Sequence, residues 1–367
     1  MLRSLVWVHL LSSGAAVSQP PELGIGGCLL VRDGSSAQDV RMEAHGVHAI
    51  RVRAVPLGGS FRDDLVSALV SPPSSHAFVS PGLCTEVTLT TEPLSLTNGN
   101  LKSSIGPDGR ITFTRVSDGT VLLQETAVRT LTPAATKPPI PGFLELDLTF
   151  DAVPDERIYG LGQHAKLPWD PSSSSERLNM KGVKGLLLAP HDGEILIPVV
   201  HSSRGYAFLF NLPSLGMVEY NDTTSYWHAD AVLQADFWVS TTADGPAHST
   251  SPWLQLQSAY ADATGHAPVW PAWTTGFWQC KLRYSNQSQI IDVVQGYVDR
   301  EIPISLIIID FFSWNDPTAP KDRQNTLGDE TLPASCWPDP KQMVQRLKEL
   351  GVELMVSPYS HSVRCMS

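Results

Sequence analysis

Ile302-Pro-Ile-Ser-Leu-Ile-Ile-Ile-Asp-Phe-Phe-Ser-Trp314 is the stretch on which the fold turns. From Ile304 to Ile309 it is almost continuously apolar, as a strand covered on both faces requires. Before it, Ile290, Ile291, Val293, Val294, Tyr297 and Val298 recur at helical spacing, and Pro303 ends the segment. Asn286 followed three places on by Gln289 makes a capping-box-like start for that helix. Thr274–Gln279 reads as a short apolar strand entered through Pro268, Pro271 and Trp273. Downstream, Asp339-Pro340 is an N-cap with proline at the first helical position. Met343, Val344, Leu347 and Leu350 line one face of the second helix, Gly351 closes it, and Val352–Ser357 reads as a third strand. Strand, helix, strand, helix, strand with parallel strands is an α/β unit.

Upstream the period changes. Ile50-Arg-Val-Arg-Ala54 alternates apolar and charged, the pattern of a half-buried strand, and Leu144–Phe150 alternates more cleanly. Ile111–Thr114 and Val121–Leu123 flank the turn Ser117-Asp118-Gly119, and Pro107-Asp108-Gly109 turns the chain before them. Many short strands with regular turns predict a β-sandwich over residues 22–265, with 266–367 as the α/β part. Thr132–Pro141 reads as a loop or strand edge, and Pro171–Ser175 as a surface loop.

Composition narrows the function. The chain has 367 residues, 42% of them hydrophobic and 17% charged, which excludes a disordered tail or a coiled coil. No apolar run reaches the roughly 18 residues of a membrane span. Lys+Arg is 26 against Asp+Glu 37, and a net charge of −11 argues against a nucleic-acid partner. It suits an uncharged one. The chain carries 10 Trp; most are expected in the core, while exposed rings suit sugar faces. Five cysteines at wide spacing, with no CxxC, give neither a zinc ribbon nor a disulfide framework. Residues 1–18 read as a secretory signal cleaved before Gln19, with a poorly ordered terminus as the bland alternative, so the protein is extracellular on the first reading and cytoplasmic on the second. Asn221-Asp-Thr and Asn286-Gln-Ser are glycosylation sequons.

Asp310 ends the buried strand and is followed by Phe311, Phe312 and Trp314. In an α/β barrel active-site groups gather at that end of the strands. A carboxylate walled by rings suits bidentate hydrogen bonding to sugar hydroxyls. The competing role is an N-cap or a salt-bridge Asp on a loop.

The motifs together resemble glycoside hydrolase family 31. Thr275-Gly-Phe-Trp-Gln-Cys-Lys-Leu-Arg-Tyr284 resembles its first barrel strand, and Ile302–Trp314 its second. Cys336-Trp-Pro-Asp-Pro340 with Gly351–Ser357 resembles the next helix and strand. Ile158-Tyr-Gly-Leu-Gly-Gln163, Ser202-Ser-Arg-Gly-Tyr206 and Tyr260–His266 resemble the preceding β-sandwich and its exit. The resemblance runs in order from about residue 40 to 367 and is nearest in flavour to the α-xylosidase-like branch. It implies a galactose-mutarotase-like β-sandwich followed by an incomplete (β/α)8 TIM barrel. It implies a retaining α-glycosidase acting on terminal α-xylosyl or α-glucosyl residues. Asp310, Arg283, Phe311 and Phe312 would line the sugar pocket, and Tyr359 stands where the family often has Trp. Asp316 and Asp329 lie on a departing loop and are not promoted to catalysis; His361 reads as a packing residue.

Retention needs two carboxyl groups about 5–5.5 Å apart. The family carries them as Asp on the fourth and sixth barrel strands, and this chain reaches only the third, so nucleophile and acid/base are expected beyond Ser367. No catalytic residue is assigned within it, and the chain alone is expected to be inactive. An open three-strand piece would leave Leu306–Ile309 without a neighbour on one side. The implied partner is an oligosaccharide or α-glycoside, with no nucleic acid, no membrane, and homo-oligomerisation in the full-length family. Neither metal nor organic cofactor is implied. The rival reading is a non-catalytic carbohydrate-binding fragment or pseudoenzyme, and a third is a structural β-sandwich adhesin.

Overall fold

Alternating segments joined by Asp-Gly turns favour antiparallel hairpins, and the first two-thirds of the chain folds that way. The computed structural model describes residues 22–24, 28–33, 37–70, 87–91, 94–135, 140–163, 179–190, 195–243, 251–281, 284–310 and 333–357. The chain divides into two units, Met1–His266 and Ala267–Ser367.

The first unit runs β1 (Glu22–Gly24), β2 (Cys28–Asp33), β3 (Gln38–Ala44), β4 (Ala49–Pro56), β5 (Val87–Thr91), β6 (Leu94–Asn98), β7 (Leu101–Ile105), β8 (Ile111–Arg115), β9 (Val121–Gln124), β10 (Thr130–Pro133), β11 (Leu144–Asp151) and β12 (Ile158–Gln163). It continues with β13 (Leu186–Leu187), β14 (Ile195–Ser202), β15 (Tyr206–Phe210), β16 (Gly216–Tyr220), β17 (Thr224–Val232), β18 (Ala235–Thr241) and the helix α1 (Pro252–Thr264). The strands form an eight-stranded sheet, β1-β2-β3-β4-β18-β15-β14-β12, and two five-stranded sheets, β10-β11-β17-β16-β13 and β5-β6-β7-β8-β9. One continuous core draws on all three, with Val52, Phe113, Phe150, Phe208, Trp227 and Phe237 buried in it. Phe208 sits at its centre, with ring centroids 4.9 Å from Trp227 and 5.5 Å from Phe150.

The predicted hairpin of β8 and β9 forms, with the Ser117–Gly119 turn held by Asp118 accepting from the Thr120 amide at 2.9 Å. β11 alternates as expected, and β10 is a sheet edge, where its proline removes no ladder bond. β4 departs from its half-buried pattern. It lies mid-sheet between β3 and β18, and its charged face is covered by residues 61–63. Arg53, 2% exposed, is held by Glu43 at 2.7 Å and Asp63 at 2.5 Å, and Arg41 and Arg53 both pack over the Phe61 ring. β15 and β18 are buried at every position because α1 covers the second face of their sheet through Leu256 and Ala263. That helix has no counterpart in the sequence-based reading.

The second unit opens with a 3-10 turn at Ala272–Thr275 and runs β19 (Trp278–Lys281), α2 (Gln287–Val298), β20 (Leu306–Ile309), α3 (Pro340–Glu349) and β21 (Glu353–Val356). The first strand therefore begins four residues later than the apolar pattern suggests. Thr274 and Thr275 turn their hydroxyls onto the Pro271 and Ala272 carbonyls, at 2.7 and 2.8 Å, and hold that segment in the turn. The sheet order is β19-β20-β21, all parallel. Leu306–Ile309 is thus the central strand, paired on both sides, and the expected bare edge falls on its neighbours instead. Pro171–Ser175 lies outside the described residues.

Candidate functional site at the carboxyl edge of the parallel sheet

Both helices of the second unit pack on one face of its sheet. Ile290 and Val294 of α2 and Met343 and Leu347 of α3 close over Ile307 and Ile309, with Tyr284 and Trp337 in the same core. Successive strand side chains alternate, so Ile308 and Asp310 share the face turned away from the helices. The register sets Cys280 opposite Ile308, and Met355 on its other side. The strands end level, with Lys281 opposite Ile309 and Ile309 opposite Val356, and the Ser357 amide donating to the Ile309 carbonyl at 3.0 Å.

Asp310 is half-buried at this edge, with Cys280 Sγ 3.5 Å from its Oδ2. Partial burial pushes the Cys280 thiol up, and the hydrogen bond and charge of Asp310 push it the same way. Cys280 therefore stays a thiol donor to the carboxylate. Trp278 lies on the same face one register step below, its Nε1 buried without a partner among the described residues. The close approach of β19 to Ser305 depends on Gly276, where a Cβ would collide with the Ser305 hydroxyl. This is a physical reason for glycine in Gly-Phe-Trp. On the helix side, Gln279 accepts from Tyr297 OH at 2.6 Å and donates to Tyr284 OH at 3.2 Å, tying β19 to α2.

Asp310 is therefore where the sequence places it, at the carboxyl end of a parallel strand. Arg283, Phe311, Phe312 and Tyr359 lie outside the described residues, as do Asp316, Asp329, His361 and residues 1–18. Cys280 and Lys281 were not picked out in the sequence. Only strand register brings Cys280 beside Asp310, and the register was hidden by the displaced start of β19. Among the described residues no group of three or more His, Cys, Asp or Glu is placed to hold a metal. No described helix is long and apolar enough to cross a membrane.

Residues 267–363 match the family model of the glycosyl hydrolases family 31 TIM-barrel domain. The chain belongs to glycoside hydrolase family 31. Its family 31 relatives include an uncharacterized family 31 glucosidase of Pseudescherichia vulneris, 30% identical over 341 residues that cover 87% of this chain and 57% of the relative. Alpha-xylosidase A of Aspergillus niger is 30% identical over 334 residues, 87% of this chain and 42% of that one. A family 31 α-xylosidase from a soil metagenome, solved with xylose, superposes with a TM-score of 0.69 at 31% identity, over 93% of this chain and 47% of its own. This family 31 chain thus spans about half the length of the relatives it matches.

Proposed function

We propose that this family 31 chain is the β-sandwich and the first three βα steps of the barrel of a retaining α-glycosidase, acting on terminal α-xylosyl or α-glucosyl residues of oligosaccharides. The observation that carries the proposal is Asp310, at the carboxyl edge of the central parallel strand on the face opposite the helices. There an ionised carboxylate accepts hydrogen bonds from two sugar hydroxyls, each such bond being worth roughly 1.5–3 kcal/mol. Cys280 contributes a weak thiol donor to it at 3.5 Å. The relatives named α-xylosidase favour xylosides.

Asp310 holds the sugar and does not carry out the displacement. Among the described residues the other strand ends are Lys281 and Val356-Ser357, which supply no second carboxyl group for a covalent glycosyl-enzyme. The 367 residues alone therefore bind sugar without turning it over, which is the form the carbohydrate-binding reading takes here. Two measurements test the assignment. The chain alone, assayed on aryl α-xylosides and α-glucosides, should show no hydrolysis; turnover that survives repurification refutes this. In a version carrying the remaining barrel strands, Asp310→Asn should lower kcat/KM at least roughly ten-fold, about 1.4 kcal/mol, with part of the loss in kcat and the melting temperature unchanged. Unchanged kinetics with a lowered melting temperature would reduce Asp310 to a structural cap. Export is part of the same proposal: amino-terminal sequencing of secreted material should begin at Gln19.

A further inference from the structure

The first unit holds a cavity of about 450 Å³ that plays no part in the site above. Asp155, Glu156, Arg157, Asn179, Lys181 and Asp222 line it. Its size falls in the range of small-ligand clefts, about 300–1,000 Å³; its lining side chains carry charged or amide heads on apolar stems, and Pro154 is the one wholly apolar residue among them.

Glu156 is 7% exposed, and its carboxylate is built in: it accepts from Ser202 Oγ at 2.5 Å and from the Tyr206 phenol. A second phenol, Tyr220, is 4% exposed and feels the charge of Glu156, yet its hydroxyl has no partner among the described residues. Of these groups Glu156 lines the cavity and Tyr220 does not. Nearer the mouth, Asn179 spends its Oδ1 on the amides of Ile158 and Lys181, so its NH2 is what it can offer. Lys181 Nζ gives one bond to the Val153 carbonyl at 2.9 Å and has two more donors. Asp155 and Asp222 are exposed acceptors.

The lining excludes most ligands. Three carboxylates disfavour an anion, Arg157 and Lys181 offset most of their pull on a cation, and a wholly apolar molecule would leave the charged and amide heads without partners. A neutral molecule bearing several hydroxyls, each both donor and acceptor, satisfies both halves of the wall. We infer that this cavity is a second binding site, for a neutral polyhydroxylated ligand of the size of one or two sugar rings. The choice of a sugar among such ligands rests on the glycosidase reading; the polyol chemistry does not. The site would hold part of a substrate chain on the first unit.

The test is titration of the 367-residue chain with D-xylose and with maltose, followed by calorimetry and by the saturation-transfer NMR of the sugar. Saturable binding should persist in Asp310→Asn. In that Asp310→Asn background it should weaken at least ten-fold on adding Arg157→Ala and Asp222→Ala, whose two side chains are exposed, with the melting temperature unchanged. Amide exchange of the wild-type chain should slow on sugar binding at residues 153–157 and 179–183, a readout that stands even if the triple variant misfolds. No saturable binding, binding abolished by Asp310→Asn, or no added protection at those segments overturns the inference. Binding at the cavity in a protein whose complete barrel proves inactive on glycosides would refute the glycosidase proposal and leave this one standing.

Discussion

Glu125 and Arg129 face each other with both side chains fully buried, 3.0 Å apart. The carboxylate also accepts from the Ile111 amide at 2.7 Å, while Arg129 Nε and Nη2 have no partner among the described residues. Burial pushes the Glu125 carboxyl up, against the pull of Arg129 and the Ile111 amide. Such a pair contributes little net stability, yet removing one member strands the other charge, at about 3–5 kcal/mol. Glu125→Ala should therefore lower the unfolding free energy of the first unit by about that much, and Glu125→Met/Arg129→Met should restore most of it. Denaturant titration of the three proteins checks this; a single variant as stable as wild type contradicts it. Neither residue stands out in the sequence, because their burial is set by strands distant along the chain. Asp310 was legible because one apolar run ends at it. Cys280 was not, because its role exists only across a strand pair.

Helix caps are the most legible elements, since their partners lie within four residues. Asn286 accepts from the Gln289 amide at 2.9 Å, and Asp339 from the Gln342 amide at 2.9 Å, as the sequence predicts for both helices. The capping box is displaced by one position: the Gln289 side chain accepts from the Ser285 amide at 2.7 Å rather than from that of Asn286. Asn286→Ala should lower the stability of the second unit by about 1 kcal/mol, and Asn286→Asp, which can still accept, should leave it near wild type. Thermal melts of the two variants decide between cap and bystander. The same engagement predicts that the Asn286 sequon stays unmodified in secreted material, and peptide mapping that finds a glycan there rejects this. By contrast α1 was illegible: it buries only Leu256 and Ala263, too few to mark a helical stripe. The start of β19 was misplaced because the Thr-Thr hydroxyl bonds of the preceding turn leave no trace in apolar periodicity.

At the scale of the whole molecule, two units with separate cores should unfold separately. Among the described residues the core of the second unit is the smaller, and its outer strands β19 and β21 each pair on one side only, so it should melt first at neutral pH. Acid should act on the other unit. Asp63, Asp64, Asp108, Asp118 and Asp147 all lie in Met1–His266 and are all held below the usual carboxylate range. Hydrogen bonds from Arg53, Arg62 and Arg110 hold the first three, Asp64 down to about 2, and the Thr120 amide holds Asp118. At Asp147 partial burial works upward, but the bonds from Tyr226, His228 and Thr130 outweigh it. A carboxyl group lowered on folding stabilises the native state above its unfolded value, near 3.9, and loses that contribution as pH falls through the folded one. The transition of the first unit should therefore move to lower temperature as pH drops from about 5 towards 2. In Asp147→Asn it should start lower at pH 7 and fall less steeply, because one acid-labile contribution has already been removed. Calorimetric scans across that pH range, with each transition assigned by amide exchange, test the argument. A single transition at every pH would refute the separation of the units. A first-unit transition equally steep in pH for wild type and Asp147→Asn would show that the Tyr226–His228–Thr130 bonds do not hold that carboxylate.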